Sequence, residues 1–296
     1  MSLYISNQKS VRSGPTNYFL TIIKEVISSA GAFQSPQLLI VSGIRPAQTL
    51  SQHNISLMAD RPGVGQDMWD HIDIEVTWKI DIVGFNTLAN LTYAAQQTQL
   101  FHNERSSIYG NYRADYIGWE KLPKPYHSNL SSDYSGYGTF IIIPVSPVSR
   151  GNITLLSNSM LDPPLINPNW LTAETDKELA LQALKRGRSI ISSAAMQPIL
   201  IGNETAPGSL VGTNDDKALN EYIRNSLFMN WHAACTCRMG GADDAMAVVD
   251  SKAKVIGVDG LRVVDASVFA LLPPGHPVST VYGLAEKISA DIIADG

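Results

Sequence analysis

The chain has 296 residues, 44% hydrophobic and 17% charged, with a formal net charge of −5 and a pI near 5.7. These values describe a globular protein with a sizeable core, one large domain or two of ordinary size. They exclude a nucleic-acid partner, because no basic stripe exists to neutralise phosphates, and no apolar run approaches the roughly 20 residues that span a bilayer.

The segment Met1 to Gly14 (MSLYISNQKSVRSG) has no apolar core of signal-peptide length, so a cytoplasmic location is expected. N-x-S/T sequons begin at Asn54, Asn90, Asn129, Asn152 and Asn203. Without an export signal they are read as a product of composition. Lys24 to Ala32 (KEVISSAGA) places a buried strand at Val26 and Ile27, ending in a glycine turn. SPQLLIVSGI then reads as a helix with Ser35 as cap and Pro36 in the first turn, ended by Gly43. Strand, glycine turn and helix are the grammar of a nucleotide-binding α/β sheet.

From Asp67 to Ser226 the pattern changes. Asp73 to Ile80 (DIEVTWKI), Gly138 to Pro144 (GTFIIIP) and Asn152 to Ser157 (NITLLS) read as strands. Tyr109 to Trp119 reads as loop. Thr172 to Ser193 has helical periodicity through Leu179, Ala183, Leu184 and Ile190. From Met229 the α/β grammar returns, with a short strand at Leu261 to Val264, a turn at Asp265-Ala266-Ser267 and an amphipathic helix over Thr280 to Ile293. The expected layout is one α/β domain made of residues 1–66 and 229–296, with a mixed or antiparallel-sheet domain, 67–228, inserted between. Cys235 and Cys237 stand too close for an unstrained disulfide and are too few for a zinc site. They read as reduced thiols in a packed turn, and no metal is expected.

GAFQSPQLLIVSGI at Gly31 to Ile44 resembles the second signature of the glucose–methanol–choline (GMC) oxidoreductase family. The resemblance continues in order through VGQDMWDH (Val64 to His71), SRGNITLLSNSMLDPPLINPNWL (Ser149 to Leu171) and WHAACTCRMG (Trp231 to Gly240). GLRVVDASVF, GHP at Gly275 to Pro277 and AEKISADII complete it. It implies an α/β fold: a flavin-binding domain of this family, represented by its carboxy-terminal part, carrying an inserted substrate domain. It further implies that His232 takes the proton from a substrate hydroxyl and that His276 is its partner, work that suits a pKa near 6.5. Trp231 and Cys235 flank His232 and are expected to contact substrate. Asp265, Ala266 and Pro277 resemble flavin contacts, relevant if FAD binds; the turn-capping reading of Asp265 and Ala266 is preferred. Asp70 and His71 read as a pair that fixes a loop. His53, His102 and His127 lie in polar segments and read as surface residues.

Three departures shape the functional expectation. No GxGxxG strand–helix unit is present, Arg45 stands where the family has glycine after Ser-Gly-Ile, and Cys235 replaces the glycine of Gly-Thr-Cys. The leading expectation is therefore a cofactor-free isomerase, lyase or cyclase acting on a bulky, apolar, polyketide-like small molecule. The alternatives are an FAD-dependent alcohol oxidoreductase needing a separate amino-terminal half, and a non-catalytic binding protein. A homodimer is expected, because half of a doubly wound sheet leaves apolar edges exposed.

Overall fold

The computed structural model describes residues 3–4, 8–13, 16–81, 88, 90–105, 107–110 and 136–295. His127, the sequon at Asn129 and most of the loop read at Tyr109 to Trp119 lie outside the described residues. The elements in chain order begin with β1 (Leu3–Tyr4), β2 (Gln8–Ser13), β3 (Thr16–Thr21), β4 (Val26–Ser28), α1 (Gly31–Val41) and α2 (Ala47–Ser51). Next come β5 (Ile72–Ile80), α3 (Leu91–Glu104), β6 (Gly136–Ile142), β7 (Asn152–Thr154), β8 (Leu165–Asn167) and α4 (Glu174–Ile191). The last are β9 (Leu200–Ala206), α5 (Asp216–Ser226), β10 (Phe228–Met229), β11 (Val258–Asp259), β12 (Leu261–Val263) and α6 (Val278–Ala294). The α/β class expected from the motifs is the class observed. Among the described residues, no helix is long and apolar enough to cross a membrane.

Two compact units divide the chain: residues 1–71, 145–173 and 229–296 form the first, and 72–144 with 174–228 the second. The division differs from the expected one at 67–71 and 145–173, which belong to the first unit. Main-chain bonding is the reason. Met68 and Gly151 exchange both hydrogen bonds at 3.0 and 2.8 Å, and the Ile153 amide donates to the Gly65 carbonyl at 2.7 Å.

In the first unit β4 and β12 pair in parallel, Val26 against Leu261 and Ser28 against Val263. Ile27, expected to be buried, is 47% exposed. The core gathers Leu39, Ile40, Ile44, Leu50, Val64, Leu155, Val248, Val249 and Val263. Arg45 is buried and donates to the Val64 and Ile153 carbonyls at 2.8 and 3.2 Å, tying the 64–65 turn to β7. Desolvation pulls its pKa down.

Helix α1 starts at Gly31, not at the expected Ser35–Pro36 cap. The Asp265 carboxylate is the cause: its Oδ2 accepts the Gly31 amide at 2.9 Å and the Ser35 hydroxyl at 2.5 Å. Gly31, at φ +83°, adopts a left-handed backbone that glycine reaches without penalty. Pro36 then falls inside the helix and has no N–H for the Ala32 carbonyl. Thr236 fills the gap, its hydroxyl donating to that carbonyl at 2.7 Å.

In the second unit β5 is central, antiparallel to β6 from Ile74–Ile142 to Ile80–Gly136, with β9 and β10 also pairing to β5. Helix α4 buries Ala180, Leu181, Leu184, Gly187, Arg188 and Ile191. Leu184, expected in its apolar stripe, is buried, whereas Leu179 and Ile190, also expected there, are exposed, so the buried face is rotated from the expected one. A side chain at Gly187 would collide with Ile142, so glycine lets the helix close on β6. Arg188 and Glu204 form a buried two-pronged ion pair at 2.5 and 3.0 Å.

Candidate active site

Residues 69–71 and 230–234 run antiparallel within the first unit. Trp69 and Ala234 exchange both backbone bonds, at 3.1 and 2.9 Å, and the Asn230 amide donates to the His71 carbonyl at 3.1 Å. Asp70 Oδ1 accepts the His232 amide at 3.1 Å. This is the loop-fixing role expected of Asp70. The Arg150 guanidinium carbon lies 3.5 Å from the Trp69 ring centroid, a cation–π contact beside the turn.

The turn brings His232 against two other imidazoles. Its Nδ1 is 2.9 Å from His71 Nδ1, and its Nε2 is 3.0 Å from His276 Nδ1. Both ring pairs meet edge to face, at 84° and 82°. His71 Nε2 lies 3.1 Å from the Val145 carbonyl. The three rings thus form a hydrogen-bonded file that leads from the interior to the surface. His71 is fully buried, His232 is 7% exposed, and His276 is exposed. Gly275, at φ +83°, and the buried Pro277 shape the loop that carries His276.

Burial sets the electrostatics. It lowers the His71 pKa, and with the neighbouring His71 and His276 rings it holds His232 down to about 4. Both are neutral at physiological pH. Burial also pushes Asp70 up to about 7, against the lowering effect of the His232 and His71 amides.

The structure therefore brings His232 and His276 together and adds His71, expected only to fix a loop. Its signal was available, since it ends the VGQDMWDH motif. What the sequence does not carry is its contact with a ring 161 residues away. Trp231 is 65% exposed and turns the chain at φ +52°. Cys235 is buried with Ala234, Phe269 and Leu272, and burial raises its thiol to about 12. Its φ of +70° explains why glycine suits this position. Cys237 is also a buried free thiol. His102 is exposed as expected, whereas His53 is half-buried.

The expected flavin contacts lie close to the same loops. Asp265 Oδ1 accepts the Ser267 amide at 2.8 Å, so it caps the turn, as expected, and also anchors α1. The Ala266 carbonyl accepts the Cys235 amide at 3.2 Å. Pro277 is the cap residue of α6, whose first turn has no side-chain cap and no acidic residue. Free amides at the positive end of a helix suit the electron-rich edge of an isoalloxazine ring. Exposed Leu271, Val278 and Tyr282 around that end supply apolar surface for a flat ring. The residues present fit FAD.

Comparison with known proteins agrees. The amino- and carboxy-terminal models of the GMC oxidoreductase family match residues 7–73 and 147–285, together more than two thirds of the chain. The chain is similar to Patulin synthase of Aspergillus clavatus, 45% identical over 313 residues that cover 93% of this chain and 50% of that protein. It shares its fold with an FAD-dependent oxidoreductase from Chaetomium thermophilum, with a TM-score of 0.77 at 25% identity, covering 96% of this chain and 57% of that one. A formate oxidase variant from Aspergillus oryzae RIB40, described for its FAD modification, gives a TM-score of 0.82 at 22% identity over 98% of this chain and 57% of that one. The chain spans about half the length of the curated relatives it matches. These findings overturn the expectation of a cofactor-free protein. The family's amino-terminal model matches residues 7–73, and both solved proteins are described by their FAD, so the cofactor that the comparisons point to is FAD. By these matches and by its ordered motifs, the chain belongs to the GMC oxidoreductase family.

Proposed function

We propose that this chain carries the proton-handling part of an FAD-dependent oxidoreductase that acts on the CH–OH group of a bulky, mostly apolar secondary metabolite. One observation carries the reading: His232 and His276 lie in hydrogen-bond contact at 3.0 Å, one ring neutral and buried, the other exposed. Similarity to a protein named Patulin synthase supports a secondary-metabolite substrate.

When bound, FAD supplies the hydride acceptor. Asp265, Ala266 and the amino end of α6 would hold it. The protein's own residues manage the proton. The lone pair on His232 Nε2 accepts the hydroxyl proton, and the substrate competes for it with His276 Nδ1. Substrate at Nε2 displaces the His276 Nδ1–H donor, and the proton gained by His232 passes to solvent at the exposed end of the file. A neutral base near the working pH is the protonation state this step requires.

A second reading draws on the same pair. Two adjacent imidazoles can also move a proton within one substrate, giving isomerisation or cyclisation without hydride transfer. Anaerobic addition of candidate aryl or allylic alcohols to the FAD-loaded protein separates the two. Bleaching of the flavin band, with the carbonyl product formed, supports oxidation. An isomeric product with the flavin still oxidised refutes it and supports the second reading.

A further inference from the structure

His71 is the most buried of the three rings, and its surroundings determine where every proton in the file resides. A carbonyl oxygen only accepts, so the 3.1 Å contact with Val145 places a proton on His71 Nε2. Burial keeps that ring neutral, which leaves Nδ1 as a bare acceptor. The 2.9 Å approach of the two Nδ1 atoms then requires the proton of that bond to reside on His232. His232 is neutral too, so its Nε2 carries the lone pair, which accepts from His276 Nδ1 at 3.0 Å.

We infer that His71 is a positioning residue: anchored on the Val145 carbonyl, it locks His232 in the Nδ1–H tautomer and presents the basic Nε2 toward His276. In Ser–His–Asp sites a carboxylate performs this orienting task. Here a neutral imidazole does it. Asp70 serves the backbone instead, since its Oδ1 accepts the His232 amide. An imidazole fixes the tautomer without placing a negative charge beside the base, so His232 stays a weak, readily discharged proton acceptor. If Nδ1 of His232 lost its acceptor, the proton would move to Nε2, and the ring would face the substrate as a donor. The effect on turnover rests on the proposed role of His232; the tautomer itself does not.

The test is nitrogen NMR of the full chain labelled at its six histidines, in the wild type and in His71→Asn and His71→Leu. Asparagine puts its Oδ1 where His71 Nδ1 stands, so it still accepts from His232; leucine does not. At neutral pH the wild type and His71→Asn should show His232 protonated on Nδ1. His71→Leu should shift it to Nε2–H and lower kcat about 10²-fold or more, as for a base held in the wrong tautomer. A wild-type spectrum with Nε2–H on His232 overturns the inference, whatever the variants do. So does an unchanged tautomer in a folded His71→Leu protein. A tautomer that shifts while turnover is unchanged upholds the lock and refutes the role of His232 as the proton acceptor.

Discussion

Thr236 donates its hydroxyl proton to the carbonyl of Ala32, 204 residues earlier in the chain, at 2.7 Å. That carbonyl is the one Pro36 leaves without an amide partner inside α1. The Thr236 bond therefore joins the motif that carries His232 to the signature helix. Thr236→Val should cost about 1–3 kcal/mol, because the buried Ala32 carbonyl loses the Thr236 hydroxyl donor. Urea denaturation reads the loss, and Thr236→Ser should restore most of it. Equal stability of all three proteins would contradict this account of Pro36.

Replacing His232 by alanine should lower turnover by about 10² to 10⁴, the range for a lost general base. His276→Asn should be milder, since asparagine can still donate to His232 Nε2. Circular dichroism should find both variants folded. Steady-state rates, paired with anaerobic flavin reduction, check the ordering. Full activity in His232→Ala would remove the ring from the chemistry.

Asp70 and His232 give opposite slopes of stability against pH. His232 titrates at about 4 in the native chain and 6.5 unfolded, so between those values the unfolded chain holds the extra proton and stability rises with pH. His71, also lowered, acts in the same sense. Asp70 titrates at about 7 native and 3.8 unfolded, so there the native chain holds the extra proton and stability falls as pH rises. In the wild type these slopes oppose. Asp70→Asn removes the falling one, so its melting temperature should climb more steeply from pH 4 to 6.5 than that of the wild type. Parallel curves would mean that Asp70 is ionised in the native protein.

Exposed apolar side chains not assigned to the flavin surface mark the first unit: Ile23 and Ile293. Ile293 belongs to α6, which fully buries only Ile288. Surface of this kind tends to be covered by a partner. A homodimer is the expected state, and Ile293→Glu should weaken it. Light scattering at tens of micromolar decides; a stable wild-type monomer would count against it.

Much of this protein follows from local sequence. Short-range signals located β4 at Val26, β12 at Leu261 and α6 near Thr280, because a glycine turn, an apolar run and helical periodicity each act over a few residues. The ordered motifs identified the family and singled out His232 and His276 by residue type.

Tertiary structure decided the rest, and in each case through partners distant in the chain. Helix α1 starts at Gly31 and not at the expected Ser35–Pro36 cap because Asp265, 234 residues away, binds the Gly31 amide and draws Ser35 away from capping. Residues 145–173 join the first unit through the pairing of Gly151 with Met68. The buried face of α4 is set by what β5 and β6 offer it, and so excludes Leu179 and Ile190. His71 enters the histidine file only because two strand-like segments bring it against His232 across 161 residues. A hydrogen bond joins donor and acceptor wherever the fold delivers them. The sequence supplied the imidazoles, and the fold determined which nitrogen of each carries the proton.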